Sequence, residues 1–385
     1  MVFLDEKAPD GKKIDEALKE LKGLEGDDFG LNGNRDELEK VAKKLDGLTG
    51  AELDAVISKA DAKDLAHYDK LAKNTEGSWL LSENGLEKDD RSTTYGRWLS
   101  RISPHNFDKF TKAFPGVQPT FTNSNPYKRH GNDQNGQTNS GIHWQNPSDP
   151  LFNGEPSADD INQNQFGDCW YVASLAAVAQ KDPQFIKEGI KENANGTVSV
   201  RIWDEDGNHR WVTMTPDLPT DTNGDPIGTY GNGSTWSAYY EKAFALSYTD
   251  EKGETGYGGI EGDDPKESAP YLTGNEGDDI TKNGGFLWLE EKEDKNLESL
   301  KEAFDAGHPV TVSTPDDESL EKDVPKEWGR SYSSNHAYYV RGFTDDGKII
   351  LGNPWGVSDY KPIEVSQEQF NKYFGWPEKY DMPNR

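Results

Sequence analysis

The sequence predicts an α+β fold, with a small, mainly helical N-terminal region ahead of a larger domain that mixes strands and helices. Three observations carry this expectation. Apolar residues recur at helical spacing through most of residues 1–115. Composition changes at Pro115, and the chain stays rich in Asn, Pro, Gly, Ser and Thr to about Pro150. Beyond 150, short strand-like runs flank Asp-Gly dipeptides, a hairpin signal. The expected organisation is a helical region over 1–115, a linker or strap over 116–150, and a main domain over 151–380.

In the first region, Lys12 to Leu24 sets Ile14, Ala17, Leu18 and Leu21 on one stripe, and Asp36 to Leu48 does the same with Leu38, Val41, Ala42 and Leu45. Thr49-Gly50-Ala51-Glu52 has capping-box spacing ahead of Leu53, Val56 and Ile57. Asp64 to Lys73 reads as another helix. Trp79, Leu80, Leu81, Trp98, Leu99, Ile102, Phe107, Phe110 and Phe114 are candidates for a core or a docking face. This reads as a helical bundle with solvated charged faces and no chemistry of its own. The segment FTNSNPYKRHGNDQNGQTNSG is too polar to fold alone.

In the main domain, CWYVASLAAVA (Cys169 to Ala179) is apolar on nearly all sides, as a buried central helix would be. Thr197 to Trp203 and Arg210 to Thr215 read as a hairpin around Asp206-Gly207. Trp236 to Tyr248 has a helical pattern, and Gly253 to Asp264 reads as a glycine-rich loop. Leu297 to Ala306 is an expected helix, followed by a strand at Pro309 to Ser313. Ala337 to Phe343 and Lys348 to Leu351 flank Asp346-Gly347 as a second hairpin. Ser366-Gln367-Glu368-Gln369 opens a last short helix with capping-box spacing.

Composition excludes several functions. Among 385 residues, 42 Lys and Arg face 70 Asp and Glu, a net charge of −28. Such a surface repels phosphate backbones and anionic lipid, so neither nucleic acid nor a membrane surface is an expected partner. The longest apolar stretch, Cys169 to Ala179, is 11 residues, whereas a spanning helix needs about 20. The opening MVFLDEKAPDGKK puts acidic residues where a signal peptide needs an apolar core. The expected location is therefore the cytoplasm, or outside the cell by a route that uses no such signal. One cysteine, Cys169, rules out an internal disulfide and a cysteine-based zinc cluster.

Cys169 is also the candidate for chemistry, although a lone cysteine in an apolar segment is by itself more often a buried structural residue. It follows Gly167-Asp168 and opens the apolar helix, where the positive end of the helix dipole favours thiolate. A thiol nucleophile needs a base, and the base needs an orienting group. His336 begins a predicted strand, and Asn353 follows 17 residues later, beyond the Asp346-Gly347 turn. A hairpin of that length can bring the Asn353 amide beside the imidazole, whose other ring nitrogen could then face Cys169.

Gln163-Asn164-Gln165-Phe166-Gly167-Asp168-Cys169-Trp170 resembles the nucleophile motif of the calpain-like cysteine proteases. Asn335-His336-Ala337-Tyr338 and Asn353-Pro354-Trp355-Gly356 resemble that family's His and Asn motifs, and Trp236-Ser237-Ala238-Tyr239-Tyr240-Glu241-Lys242-Ala243 is similar to a helix lying between them. The likeness covers roughly residues 150–376. It implies a papain-like two-lobed core, with Cys169 in lobe one (151–275) and His336 and Asn353 in lobe two (276–380). It implies a cysteine endopeptidase acting on protein or peptide substrates, with Cys169 as nucleophile, His336 as base and Asn353 orienting the base. Gln163 would donate an N–H to the oxyanion hole, beside the Cys169 backbone N–H. Trp355 would shield the His336–Asn353 hydrogen bond. Asn164 and Asn335 stand where the family carries Gly, Phe166 where it carries Leu, and Gly352 where it carries Arg.

No cofactor is required by this chemistry. Calcium is the family's regulator, and Asp160 and Asp359 match its acidic ligand positions, but Ser234 replaces an expected Glu and the ligand set is incomplete. The Asx-rich loops at 204–208 and 221–225 lack an EF-hand glycine and read as solvated turns. Two alternatives compete with the protease. A transglutaminase-like acyl transferase shares a Cys–His core, but Asp168 and Asn353 favour proteolysis. An exported effector or binding protein would use residues 1–115 to dock or to inhibit, through contact with the protease core.

Overall fold

The computed structural model describes residues 8–24, 34–73, 88–126, 141–204, 207–282, 292–293 and 295–383. It contains two compact units. The first comprises Met1–Pro119 together with Glu192–Ser199 and Trp211–Pro216, and the second comprises the remainder of the chain.

Among the described residues, the α-helices of the first unit are α1 (Gly11–Gly23), α2 (Asn34–Asp46), α3 (Gly50–Lys59), α4 (Ala62–Lys73), α5 (Lys88–Leu99) and α6 (Phe107–Ala113). The expected stripes are buried, with Ile14, Ala17 and Leu21 on α1 and Leu38, Val41 and Leu45 on α2. Each large aliphatic side chain removed from water contributes about 1.5–3 kcal/mol. The capping box of α3 forms in both directions, Glu52 N donating to Thr49 Oγ1 at 3.2 Å and Thr49 N to Glu52 Oε2 at 2.8 Å. The sequence pattern gave no helix at α5, because Ser92, Thr93, Thr94 and Gly96 all lower helix propensity. Packing decides the matter. Tyr95, Trp98 and Leu99 are fully buried, and Tyr95 meets Phe114 at 4.7 Å between ring centroids. Trp79, Leu80 and Leu81 lie outside the described residues.

The second unit is built on one helix and one sheet. Its strands, with those shared by the first unit, are β1 (His143–Gln145), β2 (Ile190–Glu192), β3 (Val198–Trp203), β4 (His209–Met214), β5 (Leu218–Thr220), β6 (Gly277–Asp279), β7 (Thr281–Lys282), β8 (Lys292–Glu293), β9 (Val310–Ser313), β10 (Ala337–Phe343), β11 (Ile349–Gly352), β12 (Ile363–Val365) and β13 (Gly375–Tyr380). Its longer helices are α7 (Cys169–Lys181), α8 (Pro183–Glu188), α9 (Trp236–Ser247), α10 (Leu297–Asp305) and α11 (Gln367–Tyr373). Six strands form an antiparallel sheet in the order β12-β11-β10-β9-β13-β6. Helix α7 packs against β10 and β9. Every residue from Trp170 to Ala179 is buried, which is why this helix is apolar all round. Residues 337–340 of β10 are likewise buried without alternation, because α7 covers one face and the Val312, Leu351 and Phe370 core lies on the other.

The polar segment after Pro115 is described to 126 and again from 141. There β1 pairs with β5, His143 opposite Thr220. Phe121 stacks on Tyr257 at 5.3 Å, and Thr120 O accepts from Tyr257 N at 2.9 Å. The glycine-rich run expected as a loop contains a helical turn, Gly256–Gly259, which these contacts hold in place.

Candidate active site

The hairpin β10–β11 sets two of the expected residues. Tyr339 pairs with Gly352, so His336 just before β10 and Asn353 just after β11 lie at the same end of the ladder. The close fit there requires glycine at 352, since a Cβ would stand 2.2 Å from the Tyr339 ring. His336 Nε2 lies 2.9 Å from Asn353 Oδ1. The Asn353 amide is fixed, because Nδ2 donates to Ser331 O at 3.1 Å and Oδ1 also accepts from Trp355 N at 2.9 Å. An oxygen facing Nε2 makes that nitrogen the proton carrier of a neutral imidazole, and Nδ1 keeps the lone pair. The ring of Trp355 covers the imidazole at 4.3 Å between centroids.

Cys169 is the first residue of α7 and is half-buried. The backbone N–H of Ala337, the residue after His336, favours its ionised form. Cys169, His336, Gln163 and Trp355 all line one cleft of about 740 Å³. A larger hollow of about 1080 Å³, lined by Tyr271, Glu302 and Lys379 among others, contains none of these four.

Electrostatics differ from the expectation for a helix N-terminus. Desolvation pushes the Cys169 thiol up to about 11, ahead of the opposing N–H groups of Ala337 and Trp170. The dipole of α7 is therefore outweighed by the loss of water around the sulfur. Burial also pushes His336 down to about 4, against the bond to Asn353. Both groups rest neutral around neutral pH.

Gln163 sits six residues before Cys169 and is 2 % exposed. Its backbone N–H donates to Pro354 O at 3.0 Å, joining its loop to the Asn353 segment. Its side-chain Nε2 donates to Phe166 O at 2.7 Å and to Asp168 Oδ1 at 3.2 Å. The amide thus faces its own loop, while the residue lines the cleft. Asn164 and Asn335 have φ of 58° and 47°, and Asn is the side chain that best tolerates this left-handed region where glycine would otherwise serve.

Of the candidate calcium positions, Asp160 is engaged by its own surroundings. Asp160 Oδ2 accepts from Trp236 Nε1 at 3.1 Å and from Ser157 N at 3.0 Å, and Oδ1 accepts from Asn232 at 3.2 Å. Asp359 is exposed. Among the described residues, no three His, Cys, Asp or Glu side chains come together as a metal group. The 221–225 loop is an Asx turn, with Asp221 Oδ1 accepting from Asn223 N and Asp225 N. In the 204–208 loop, residues 205 and 206 lie outside the described set. No described helix is long and apolar enough to cross a membrane.

Sequence reasoning gave no site role to two buried acids. Asp168 and Glu241 are both fully buried. An acid inside a largely apolar helix such as α9 was the available signal, since burying a charge is costly unless it is paired.

Residues 114–369 match the model of the calpain family cysteine proteases. The chain belongs to that family. Among relatives, it is 25% identical over 233 residues to calpain clp-4 of Caenorhabditis elegans, covering 56% of this chain and 30% of that protein. Calpain-B of Drosophila melanogaster is 29% identical over 237 residues, covering 55% and 24%. The calpain-1 catalytic subunit of Mus musculus is 27% identical over 257 residues, covering 60% and 33%. The chain thus spans about a third or less of the length of these calpains. Membership is consistent with the α+β, papain-like core described above.

Proposed function

We propose that this calpain-family protein is a cysteine endopeptidase that hydrolyses peptide bonds of proteins with Cys169 as nucleophile, His336 as base and Asn353 as the group that orients the base. The observation that carries this reading is the fixed Asn353 amide on His336 Nε2 in the cleft that Cys169 also lines. With Nε2 protonated, Nδ1 is left as the acceptor. Because thiol and imidazole both rest neutral, the thiol proton passes to Nδ1 as sulfur attacks the peptide carbonyl. The imidazolium returns that proton to the leaving amine as the C–N bond breaks. Water then attacks the thioester, again giving a proton to Nδ1, and release of the acid restores the thiol. Gln163 and the Cys169 backbone N–H are the donors assigned to the oxyanion. In this role the Gln163 amide turns from Asp168 toward the cleft when substrate binds.

The test is digestion of casein, with and without calcium, by wild type and Cys169→Ala side by side. The expected outcome is cleavage that the substitution abolishes. Equal cleavage by both proteins would remove the reading.

A further inference from the structure

Among the described residues, Trp376 stands out as a large apolar side chain that is 51 % exposed. Its neighbours on β13, Gly375 and Pro377, are buried. Trp376 has φ of 46°, a left-handed conformation that a bulky side chain seldom takes. The cause is a bulge. Gly375 pairs with Ser313 and Glu378 with Thr311, so three steps along β13 oppose two along β9. Bulges redirect side chains and are over-represented next to active sites. Here the indole lines the cleft of Cys169 and His336, as does Ser313 across the ladder.

The charge of the same cleft is one-sided. Asp263, Asp264 and Asp316 line it, all three exposed, and among the described residues no Lys or Arg does. Two of these acids come from the Cys169 side. Gly262 N donates to Gly167 O at 3.0 Å, which ties their loop to the segment before the nucleophile. Asp264 leads into the turn Pro265–Ser268, which packs on β13, the strand of Trp376. Asp316 comes from the His336 side, where Thr314 N donates to His336 O at 2.9 Å and Asn335 N to Pro315 O at 3.0 Å. Asp263 already accepts from Tyr248 Oη at 2.5 Å and from Asp264 N at 2.9 Å, which makes Asp264 and Asp316 the principal charges offered to a ligand.

An exposed indole between anionic walls suits a side chain with an apolar stem and a cationic head. We propose that Trp376 is a specificity-determining residue whose ring receives an Arg or Lys side chain of the substrate, while Asp264 and Asp316, helped by Asp263, face its charge. The proposal rests on the peptidase reading above, because it names the substrates of that cleft: proteins cut close to basic residues. The ring already has a cation of this chain beside it, with Lys295 Nζ 5.9 Å from its centroid. A purely apolar side chain would use the indole and leave the carboxylates without a counter-charge, and an acidic one would be repelled by them. Arg fits better than Lys, since its planar guanidinium also stacks on an aromatic face.

The test uses internally quenched peptides of one sequence that carry Arg, citrulline, norleucine or Glu at successive positions on either side of the cleaved bond. Citrulline keeps the shape of Arg and removes its charge. Wild type is expected to show, at one position, a kcat/KM for Arg about fivefold or more above that for citrulline, a ratio that shrinks in high salt. Joint substitution Asp264→Asn and Asp316→Asn should bring this ratio close to one. Trp376→Ala should lower kcat/KM for the Arg peptide about two- to fivefold, through KM, and Trp376→Tyr should restore most of it. A merely structural Trp376 would instead lower kcat for all four peptides alike, and that result overturns the proposal. The same peptides are titrated into Cys169→Ala, which reads binding without turnover. Equal Kd for Arg and citrulline at every position overturns the proposal whatever the turnover. A wild type that cleaves none of the peptides, while Cys169→Ala binds the Arg peptide more tightly, refutes the peptidase reading and leaves the basic-residue site intact.

Discussion

Asn353→Ala puts the orienting role to its strictest test. The Asn353 side chain is 2 % exposed and holds three groups at once. Its removal leaves His336 Nε2, Trp355 N and Ser331 O without the bonds of 2.9, 2.9 and 3.1 Å that they make to it. A buried polar group deprived of its partner costs about 1–3 kcal/mol, and water entering the vacated space lowers the total. The melting temperature is therefore expected to fall measurably. The larger effect is catalytic. Nothing then fixes the tautomer or the ring plane, and misplacement of a reacting group by about 1 Å costs about 10²-fold. The assay is peptide turnover at saturating substrate, scaled to sites titrated by alkylation, with thermal unfolding alongside. Asn353→Asp supplies the control on sign. A carboxylate in contact with His336 raises its proton affinity from about 4, so the acid limb of the profile moves to higher pH. If Asn353→Ala keeps kcat per site within about twofold, well short of that 10²-fold, the imidazole is held by something else and the reasoning is wrong.

Two further predictions follow from single groups. Gln163→Ala should lower kcat by about 10²–10³ with KM little changed, if the amide reaches the oxyanion in the transition state; steady-state kinetics on a short peptide decide it. Glu378 on β13 should govern stability against pH: burial first, then Asp264 and Asp279, push its carboxyl from 4.5 up to about 8. The unfolded chain releases this proton near 4.5 and the folded chain only near 8, so stability is lost as pH climbs through that window. Glu378→Gln should flatten the decline, and thermal unfolding across the window would show an unchanged slope if the assignment is wrong.

The hairpin carrying His336 and Asn353 was readable because its signals are local. Two short strand-like runs around Asp346-Gly347 set the strands, and strand length then puts the two residues at one end. The helix opened by Cys169 was readable for the same reason. Helix α5 was not, because its sequence is a poor helix former whose conformation is decided by contacts that Tyr95 and Trp98 make with Tyr68 and Phe114, far along the chain. The residues that depart from the family motifs also became intelligible only with dihedral angles and neighbours in view. Asn164 and Asn335 occupy left-handed positions, and Gly352 lies under the Tyr339 ring.

Charge is where sequence reasoning went furthest astray, and for a physical cause. A helix N-terminus stabilises an anion through a dipole that reads directly from position. Desolvation depends on everything that surrounds the sulfur, and no local pattern reports it. Here it wins, leaving a neutral thiol and a neutral imidazole on one cleft. The same loss of water raises the proton affinity of two buried acids, Asp168 and Glu241, which no local pattern marks. Reading such a site from sequence therefore requires asking of every acid within an apolar helix what it faces, before asking what the helix dipole does.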